Sequence, residues 1–304
     1  LESIIFVLVL VITGFLFKHK FIKKQYMIVL VSITFLSMIL HLVFENVIWQ
    51  LYPLYLTVIL TIGMSLFYMT KINVFQRNKA IRTIVLVLTG FLLLISGISK
   101  FVFPIYEMPS PNGEFLIGTE SFILVDNDRE ENYGVEENRK IKIQVWYPAE
   151  STDGYEQVPW LEDGRVVAQS LAIDTGLPSF VLNHTELIMS NSYREAPISE
   201  TSEEYPIVII SHGWRGFKNL HTDLAEELAS LGYIVVGVDH TYGSVATVFS
   251  DDEIAYLNLD ALPDRDTTTD FIEYANNLVN TYAGDITLTI NELEKMNLGV
   301  SSSQ

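Results

Sequence analysis

The sequence contains no cysteine in its 304 residues. This absence excludes a disulfide scaffold, a thiolate metal site and a cysteine nucleophile. It does not indicate a compartment, because a protein outside the cytoplasm need not use disulfides.

Acidic residues are scarce in the first third of the chain, and basic residues are scarce in the remainder. Residues 1–104 hold nine Lys/Arg and only two acids, Glu2 and Glu45, for a formal charge of +7. Residues 105–304 hold ten Lys/Arg and 35 acids, for a formal charge of −25. The division rules out a single soluble domain and a chain that is membrane throughout. The acidic part offers no basic patch for phosphates, so nucleic acid is not expected as a partner.

Four apolar runs fill the first third, at about residues 3–17, 26–44, 47–70 and 83–103. A helix needs about 20 apolar residues to cross the hydrocarbon core of a bilayer, and the last three runs reach that length. The first run is shorter, but it lacks the basic start of a signal peptide, and three more runs follow it. We therefore predict a four-helix transmembrane region over residues 1–104.

Basic residues in the connections between the runs predict the orientation of this region. The first and third connections carry eight of them: Lys18, Lys20, Lys23, Lys24, Lys71, Arg77, Lys79 and Arg82. The second connection has only Glu45 and Asn46. Because basic loops stay in the cytoplasm, the fourth span leaves the membrane outward. The protein is thus expected to be a multi-pass cell-membrane protein with everything after Pro104 outside.

His41 and Glu45 lie four residues apart in the second run, so they share a helix face. An ionisable pair in a membrane segment is a candidate for a transport or sensing path. Because the pair lies at the end of the span, we favour the interpretation that both side chains reach water at the outer interface.

The outer part begins with a predicted linker, residues 105–117, which is rich in Pro and Gly between Met108 and Gly113. Strands are predicted at 118–125 and 140–147, the second with clean alternation of apolar and other residues. A mixed insert at 151–204 contains two possible helices, about 165–173 and 179–190.

Residues after Tyr205 follow a strand–helix–strand pattern. A buried strand is predicted at 207–210, an amphipathic helix at 219–231 and a second buried strand at 233–238, with Gly232 as the helix C-cap. Short loops between them imply a parallel pair of strands. A long helix then runs from about 268 to 296. The pattern predicts an α/β domain with a doubly wound, mainly parallel sheet, of which only four strands are evident.

Two segments of this pattern carry a resemblance to a known family. Tyr205-Pro-Ile-Val-Ile-Ile-Ser-His-Gly-Trp-Arg-Gly216 and Leu228-Ala-Ser-Leu-Gly-Tyr-Ile-Val-Val-Gly-Val-Asp-His240 resemble the platelet-activating factor acetylhydrolase-like esterases of the α/β-hydrolase fold. The upstream Ile143-Gln-Val-Trp-Tyr-Pro148 and the order of Gly118–Asp126 before it are similar to the same family. The resemblance extends from about Pro109 to Glu294.

The resemblance implies a Ser–Asp–His triad and an oxyanion hole to which Trp214 contributes its backbone N–H. His212, Gly213 and His240 are implied to line the site. The serine of this family belongs to a Gly-x-Ser-x-Gly elbow on the strand after the long helix. No such elbow occurs among the 304 residues, and Gly299-Val-Ser-Ser-Ser303 is not one. Residues 118–304 are therefore expected to be the N-terminal half of an α/β-hydrolase domain, truncated before the nucleophile strand, and this chain alone is predicted to be inactive.

Local substitutes for the missing residues were weighed against this interpretation. Ser211 and His212 are neighbours on a strand, so their side chains point to opposite faces and cannot pair. His212 and His240, with Asp239, could instead be metal ligands, but hydrogen-bonded loop anchors are the favoured interpretation. The acidic run at 251–253 lacks the spacing of a calcium loop. No metal or other cofactor is expected.

The favoured function is a membrane-anchored carboxylic ester hydrolase, with a small ester or lipid ester as substrate and the lipid bilayer as partner. One alternative is a non-catalytic membrane protein whose outer domain binds or senses a ligand. A further alternative places the function in the membrane spans, at His41 and Glu45. The sequence gives neither the acyl length nor the oligomeric state.

Overall fold

The computed structural model describes residues 1–17, 23–70, 78–134 and 137–299. The chain divides into two compact units, Leu1–Pro104 and Ile105–Gln304. Four basic residues on which the predicted topology partly rests, Lys18, Lys20, Lys71 and Arg77, lie outside the described residues, as do 300–304.

The described part of the first unit is helical. Its helices are α1 (Glu2–Phe17), α2 (Lys24–Phe44), α3 (Tyr52–Thr70) and α4 (Lys79–Val102), with a 3-10 turn at Trp49–Leu51 before α3. Three helical segments are long and apolar enough to cross a membrane: Lys24–Phe44, Trp49–Thr70 and Lys79–Val102. Helix α1 is apolar but shorter.

Several small hydroxyl side chains are buried between these helices, in addition to Gln50 and His41. Thr34, Thr57 and Ser65 donate to the carbonyl oxygens four residues earlier in their own helices. Each hydroxyl is thus satisfied within its helix, and its small size lets neighbouring helices approach closely. This arrangement is typical of helix packing in membranes and favours a structural role for the buried hydroxyls.

The side chain of His41 is buried, with 1% exposed, whereas Glu45 is 36% exposed. His41 Nδ1 lies 2.6 Å from Glu45 Oε2, and His41 Nε2 lies 2.6 Å from the hydroxyl of Tyr55 on α3. The interpretation that both residues reach water is therefore wrong for His41, because the imidazole connects α2 to α3. Sequence spacing showed the pair on one helix face but not that this face packs on α3.

The second unit contains eight strands among the residues described. They are β1 (Leu116–Glu130), β2 (Asn138–Ala149), β3 (Gln157–Pro159), β4 (Met189–Arg194), β5 (Ile207–Ser211), β6 (Ile234–Asp239), β7 (Ala246–Ser250) and β8 (Glu253–Tyr256). The helices are α5 (Gly164–Asp174), α6 (Thr222–Ser230) and α7 (Phe271–Asn297), with 3-10 segments at Ser179–Leu187 and Leu259–Ala261.

Six strands form one sheet in the order β3-β4-β1-β2-β6-β5, and β7 and β8 form a separate hairpin. Strands β1 and β4 are parallel, as are β5 and β6. The pairs β1–β2, β2–β6 and β3–β4 are antiparallel. The prediction of a mainly parallel sheet is therefore wrong, since β1 and β2 form a long antiparallel pair and β2 also runs against β6.

Helices cover both faces of this sheet. Helix α7 contributes Leu288 and Ile286 to a core with Ile141, Ile143 and Val238. Helix α6 contributes Ala225 and Ala229 to a second core with Trp146 and Val235. The alternation along β2 places its apolar residues on the α7 face and Trp146 on the α6 face, as the sequence predicts. Gly232 has a φ of +96° just after α6, which glycine adopts without strain.

The segment predicted as a linker is bound to α6 over part of its length. The N–H of Asn112 donates to Glu227 Oε2 at 2.9 Å, and the N–H of Gly113 donates to Ser230 Oγ at 3.0 Å. A side chain at Gly113 would collide with the backbone of Ser230. Strand β1 then begins at Leu116, inside the predicted linker range.

Candidate active site

Two turns at the carboxyl ends of β5 and β6 hold all of the site residues suggested by the sequence. Turn A comprises residues 211–216 and turn B residues 239–245. Because β5 and β6 are parallel, with Ser211 paired to Val238, both turns lie at the same edge of the sheet. Ligands of open α/β sheets bind at this edge.

Backbone hydrogen bonds join the two turns. The N–H of Arg215 donates to the carbonyl of Gly243 at 2.9 Å, and the N–H of Val245 donates to the carbonyl of Gly216 at 3.0 Å. Arg215 has a φ of +67° and Tyr242 a φ of +64°. Positive φ in non-glycine residues is costly and is kept where surrounding contacts over-determine the backbone. The two turns therefore form one cross-braced element.

His212 is buried within this element and is a structural anchor. Its Nδ1 lies 2.7 Å from the carbonyl oxygen of Gly213, and its Nε2 lies 2.9 Å from Ser244 Oγ. The backbone N–H of His240 also donates to His212 Nε2, at 3.3 Å. A side chain at Gly216 would approach the His212 Cβ to 2.7 Å, so turn A requires glycine at that position. Burial lowers the pKa of His212 to about 4, which keeps the imidazole neutral.

Trp214 occupies the outer part of turn A and is half-buried. Within the described residues, its backbone N–H donates to no acceptor. A main-chain N–H that is fixed in place but has no partner can stabilise an oxyanion that develops during acyl transfer. The geometry is thus compatible with the role that the family resemblance implies for Trp214.

Lys218, which follows turn A, is buried and forms several hydrogen bonds and ion pairs. Lys218 donates its backbone N–H to Asp239 Oδ1 at 2.7 Å, and its Nζ lies 2.7 Å from Asp163 Oδ2 and 3.4 Å from Asp239 Oδ2. Burial lowers the pKa of this ammonium, but the neighbouring carboxylates outweigh burial and raise it overall, so Lys218 stays charged. Both carboxylate oxygens of Asp239 are therefore engaged by Lys218 rather than free to bind a metal.

The metal interpretation finds no support in the geometry. The rings of His212 and His240 are 5.0 Å apart, and each ring nitrogen has a hydrogen-bond partner. In the part of the chain that the structure describes, no three His, Asp or Glu residues are grouped so as to hold a metal ion.

Sequence reasoning missed a hydrogen-bonded set that links turn A to helix α7. Ser211 Oγ lies 2.8 Å from His240 Nε2, and His240 Nδ1 lies 3.0 Å from Asp285 Oδ2. Asp285 in turn accepts from Arg139 Nε at 3.0 Å and from Arg139 Nη2 at 2.7 Å. We call Ser211, His240, Asp285 and Arg139 the Ser211 network.

The Ser211 network is buried except at its serine. His240 and Asp285 are 0% exposed and Arg139 is 1% exposed, whereas Ser211 is exposed. Burial raises the pKa of Asp285, but hydrogen bonds from His240 and Arg139 outweigh it and bring the pKa to about 2. Two sequence signals were available: the parallel β5–β6 register, which places Ser211 beside the end of β6, and an aspartate on the apolar stripe of α7.

Comparison with known proteins agrees with the family resemblance of the sequence. The family model described as "Platelet-activating factor acetylhydrolase, isoform II" matches residues 101–301. The chain belongs to this family.

Individual relatives match over shorter segments. A platelet-activating factor acetylhydrolase from Cavia porcellus is 28% identical over 116 residues, which is 37% of this chain and 26% of the relative. One from Bos taurus is 39% identical over 49 residues, 16% of this chain and 11% of the relative. The chain thus spans about a quarter or less of the curated relatives that it matches. Among solved structures, a ferulic acid esterase from Streptomyces cinnamoneus is 24% identical with a TM-score of 0.42, covering 53% of this chain and 43% of that one.

Proposed function

We propose that this chain belongs to a membrane-anchored carboxylic ester hydrolase. The enzyme would act on short acyl esters, lipid esters among them, through an acyl-enzyme. The observation that carries the proposal is the N–H of Trp214, which has no acceptor among the residues that the structure describes and lies on a turn held by hydrogen bonds at its start and its end. An oxyanion donor must be fixed before the reaction, because its contribution depends on costing no reorganisation when charge develops. Turn A meets this requirement.

The contribution of these 304 residues is proposed to be the oxyanion side of the site. Trp214 supplies the N–H, while His212, Gly213 and His240 line the turn. The nucleophile, the acid and the base are proposed to be absent from this chain, since no Gly-x-Ser-x-Gly sequence occurs in it. On this proposal the chain alone does not turn over an ester.

Membrane anchoring by the first unit is also a proposal. Three helical segments have the length and hydropathy of membrane spans, and α1 is proposed as a fourth. The basic residues of the first and third connections support an orientation in which residues 105–304 are outside the cell. Helix α4 ends at Val102, and the second unit begins at Ile105. If α4 runs outward, the second unit starts at the outer membrane surface, where lipid esters are present.

An assay on intact cells tests the proposal. Cells that make the whole gene product are expected to hydrolyse a charged, membrane-impermeant butyrate ester, and external protease should abolish this activity together with the second unit. A cytoplasmic marker enzyme that survives the protease is the control for intact membranes.

Two outcomes of this assay would count against the proposal. Hydrolysis that appears only after lysis would contradict the orientation. No hydrolysis before or after lysis would contradict the esterase and favour the alternative of a non-catalytic binding or sensing domain.

A further inference from the structure

The Ser211 network contains a serine, a histidine and an aspartate, as a catalytic triad does. The groups around these three residues determine whether they can act as one. Its members come from three elements: Ser211 ends β5, His240 follows β6, and Asp285 lies in the middle of α7. The distances between Ser211 and His240, 2.8 Å, and between His240 and Asp285, 3.0 Å, are those of ordinary hydrogen bonds.

The carboxylate of Asp285 binds two guanidinium groups in addition to His240. Arg139 binds both of its oxygens, at 3.0 and 2.7 Å, and Arg129 Nη2 binds Oδ1 at 3.0 Å. In a working triad the aspartate stabilises the imidazolium that forms when histidine takes the serine proton. Asp285 thus divides its hydrogen bonds between His240 and two guanidinium groups, which are themselves paired with Glu131 and Asp126. It is therefore not dedicated to stabilising an imidazolium.

The imidazole of His240 is also shut off from water. It is 0% exposed, and the ring of Tyr282 stacks on it with centroids 3.7 Å apart and planes 8° from parallel. The two hydrogen bonds of His240 fit the tautomer in which Nδ1–H donates to Asp285 and Nε2 accepts from the hydroxyl of Ser211.

Turn A is fixed at both of its ends by these contacts. The hydroxyl of Ser211 is bound through His240 to α7, and Arg215 and Gly216 are bound to turn B. Trp214 lies between the two fixed ends. We infer that Ser211, His240 and Asp285 are positioning residues that hold turn A against α7 and thereby set the direction of the Trp214 N–H. The inference rests on the proposed function, because that direction matters to catalysis only if the N–H binds an oxyanion.

Backbone dynamics of Trp214 test the inference without any turnover. The chain has four tryptophans, so selective ¹⁵N-tryptophan labelling of the 304-residue protein in detergent gives four backbone amide signals. In the unmodified chain the Trp214 amide is expected to have the order parameter of rigid backbone, about 0.85. Ser211→Ala should lower it below about 0.6, the range of flexible backbone, while Trp146 in β2 stays unchanged.

A matched control and a rescue variant separate positioning from general destabilisation. Ser190→Ala removes a serine hydroxyl elsewhere in the second unit, one that donates to the carbonyl of Val158, and should leave the Trp214 signal unchanged. Ser211→Thr keeps a hydroxyl and should restore the rigid value. A rigid Trp214 amide in both Ser211→Ala and Asp285→Asn would overturn the inference. Failure of the ester assay would not affect this readout, so the two proposals can fail separately.

Discussion

Replacement of Trp214 by proline is expected to lower ester turnover on the order of 10²–10³-fold, the usual cost of losing one oxyanion donor. Proline has no backbone N–H, so the substitution removes the group that the proposed mechanism uses. Trp214→Ala keeps the N–H and should retain most of the activity. The measurement is the kcat of the whole gene product in membranes, with matched protein amounts and matched melting temperatures.

The difference in kcat between Trp214→Pro and Trp214→Ala tests the role of the backbone N–H. Trp160→Ala, which removes another half-buried indole whose Nε1–H donates to Asn219, is the control for loss of an aromatic side chain. Equal activity of the proline and alanine variants, both folded, would contradict the assignment of the N–H. Loss of activity in Trp214→Ala alone would assign the role to the indole ring instead.

Replacement of Arg139 by methionine is expected to destabilise the second unit by about 3–5 kcal/mol, because it leaves buried carboxylates without their partner. Arg139 is 1% exposed, while Asp285 and Glu131, its partners at 2.7 Å each, are 0% and 5% exposed. Methionine fills a similar volume, so the effect reports charge more than packing. Urea unfolding followed by tryptophan fluorescence measures it.

An exposed ion pair provides the matched control for Arg139. Arg165 pairs with Glu186 at 2.6 Å, but its side chain is 62% exposed. Arg165→Met should therefore cost less than about 1 kcal/mol. If the two variants lose similar amounts of stability, the buried ion pairs of Arg139 stabilise the second unit no more than the exposed Arg165–Glu186 pair does.

The sequence was most informative where one physical rule decides the structure. Alternation along β2 predicted which of its residues share a face, because successive side chains of a strand point to opposite sides of the sheet. The continuous apolar runs predicted two buried strands, which is confirmed for β6 but wrong for β5, because β5 is the edge strand of the sheet and none of its residues is fully buried. The short loops around α6 correctly predicted that the two strands are parallel. Together these patterns predicted that turn A and turn B lie at one edge of the sheet.

Strands that depend on tertiary contacts have only a weak pattern in the sequence. Strand β4, Met-Ser-Asn-Ser-Tyr-Arg, is polar and does not alternate in hydrophobicity, and β3 has only three residues. Strand β4 is stabilised from outside the sheet by Glu226 of α6, which accepts from the N–H of Asn191 at 2.6 Å and from Ser192 Oγ at 2.5 Å. Neither partner is near the other in sequence, so no local pattern could reveal the pairing.

In the candidate site, too, some residues could be identified from a local sequence pattern and others could not. Trp214, His212 and Gly213 belong to one contiguous motif and could be named from the sequence. The Ser211 network could not, because it joins residues from β2, β5, turn B and α7 that are up to 146 positions apart. The partner of Ser211 is not its neighbour His212 but His240, because the partner of a residue at a strand end comes from the adjacent strand.

The central claim is that these 304 residues build the oxyanion side of an ester hydrolase site and not its nucleophile. Labelling of the purified 304-residue protein with a fluorophosphonate probe tests it most directly, because only a serine activated by a competent base reacts rapidly. A serine hydrolase added to the same sample serves as the positive control. The account predicts that peptide mapping finds no labelled serine in the chain; stoichiometric labelling of one serine, Ser211 above all, would contradict it and would make the Ser211 network the catalytic set.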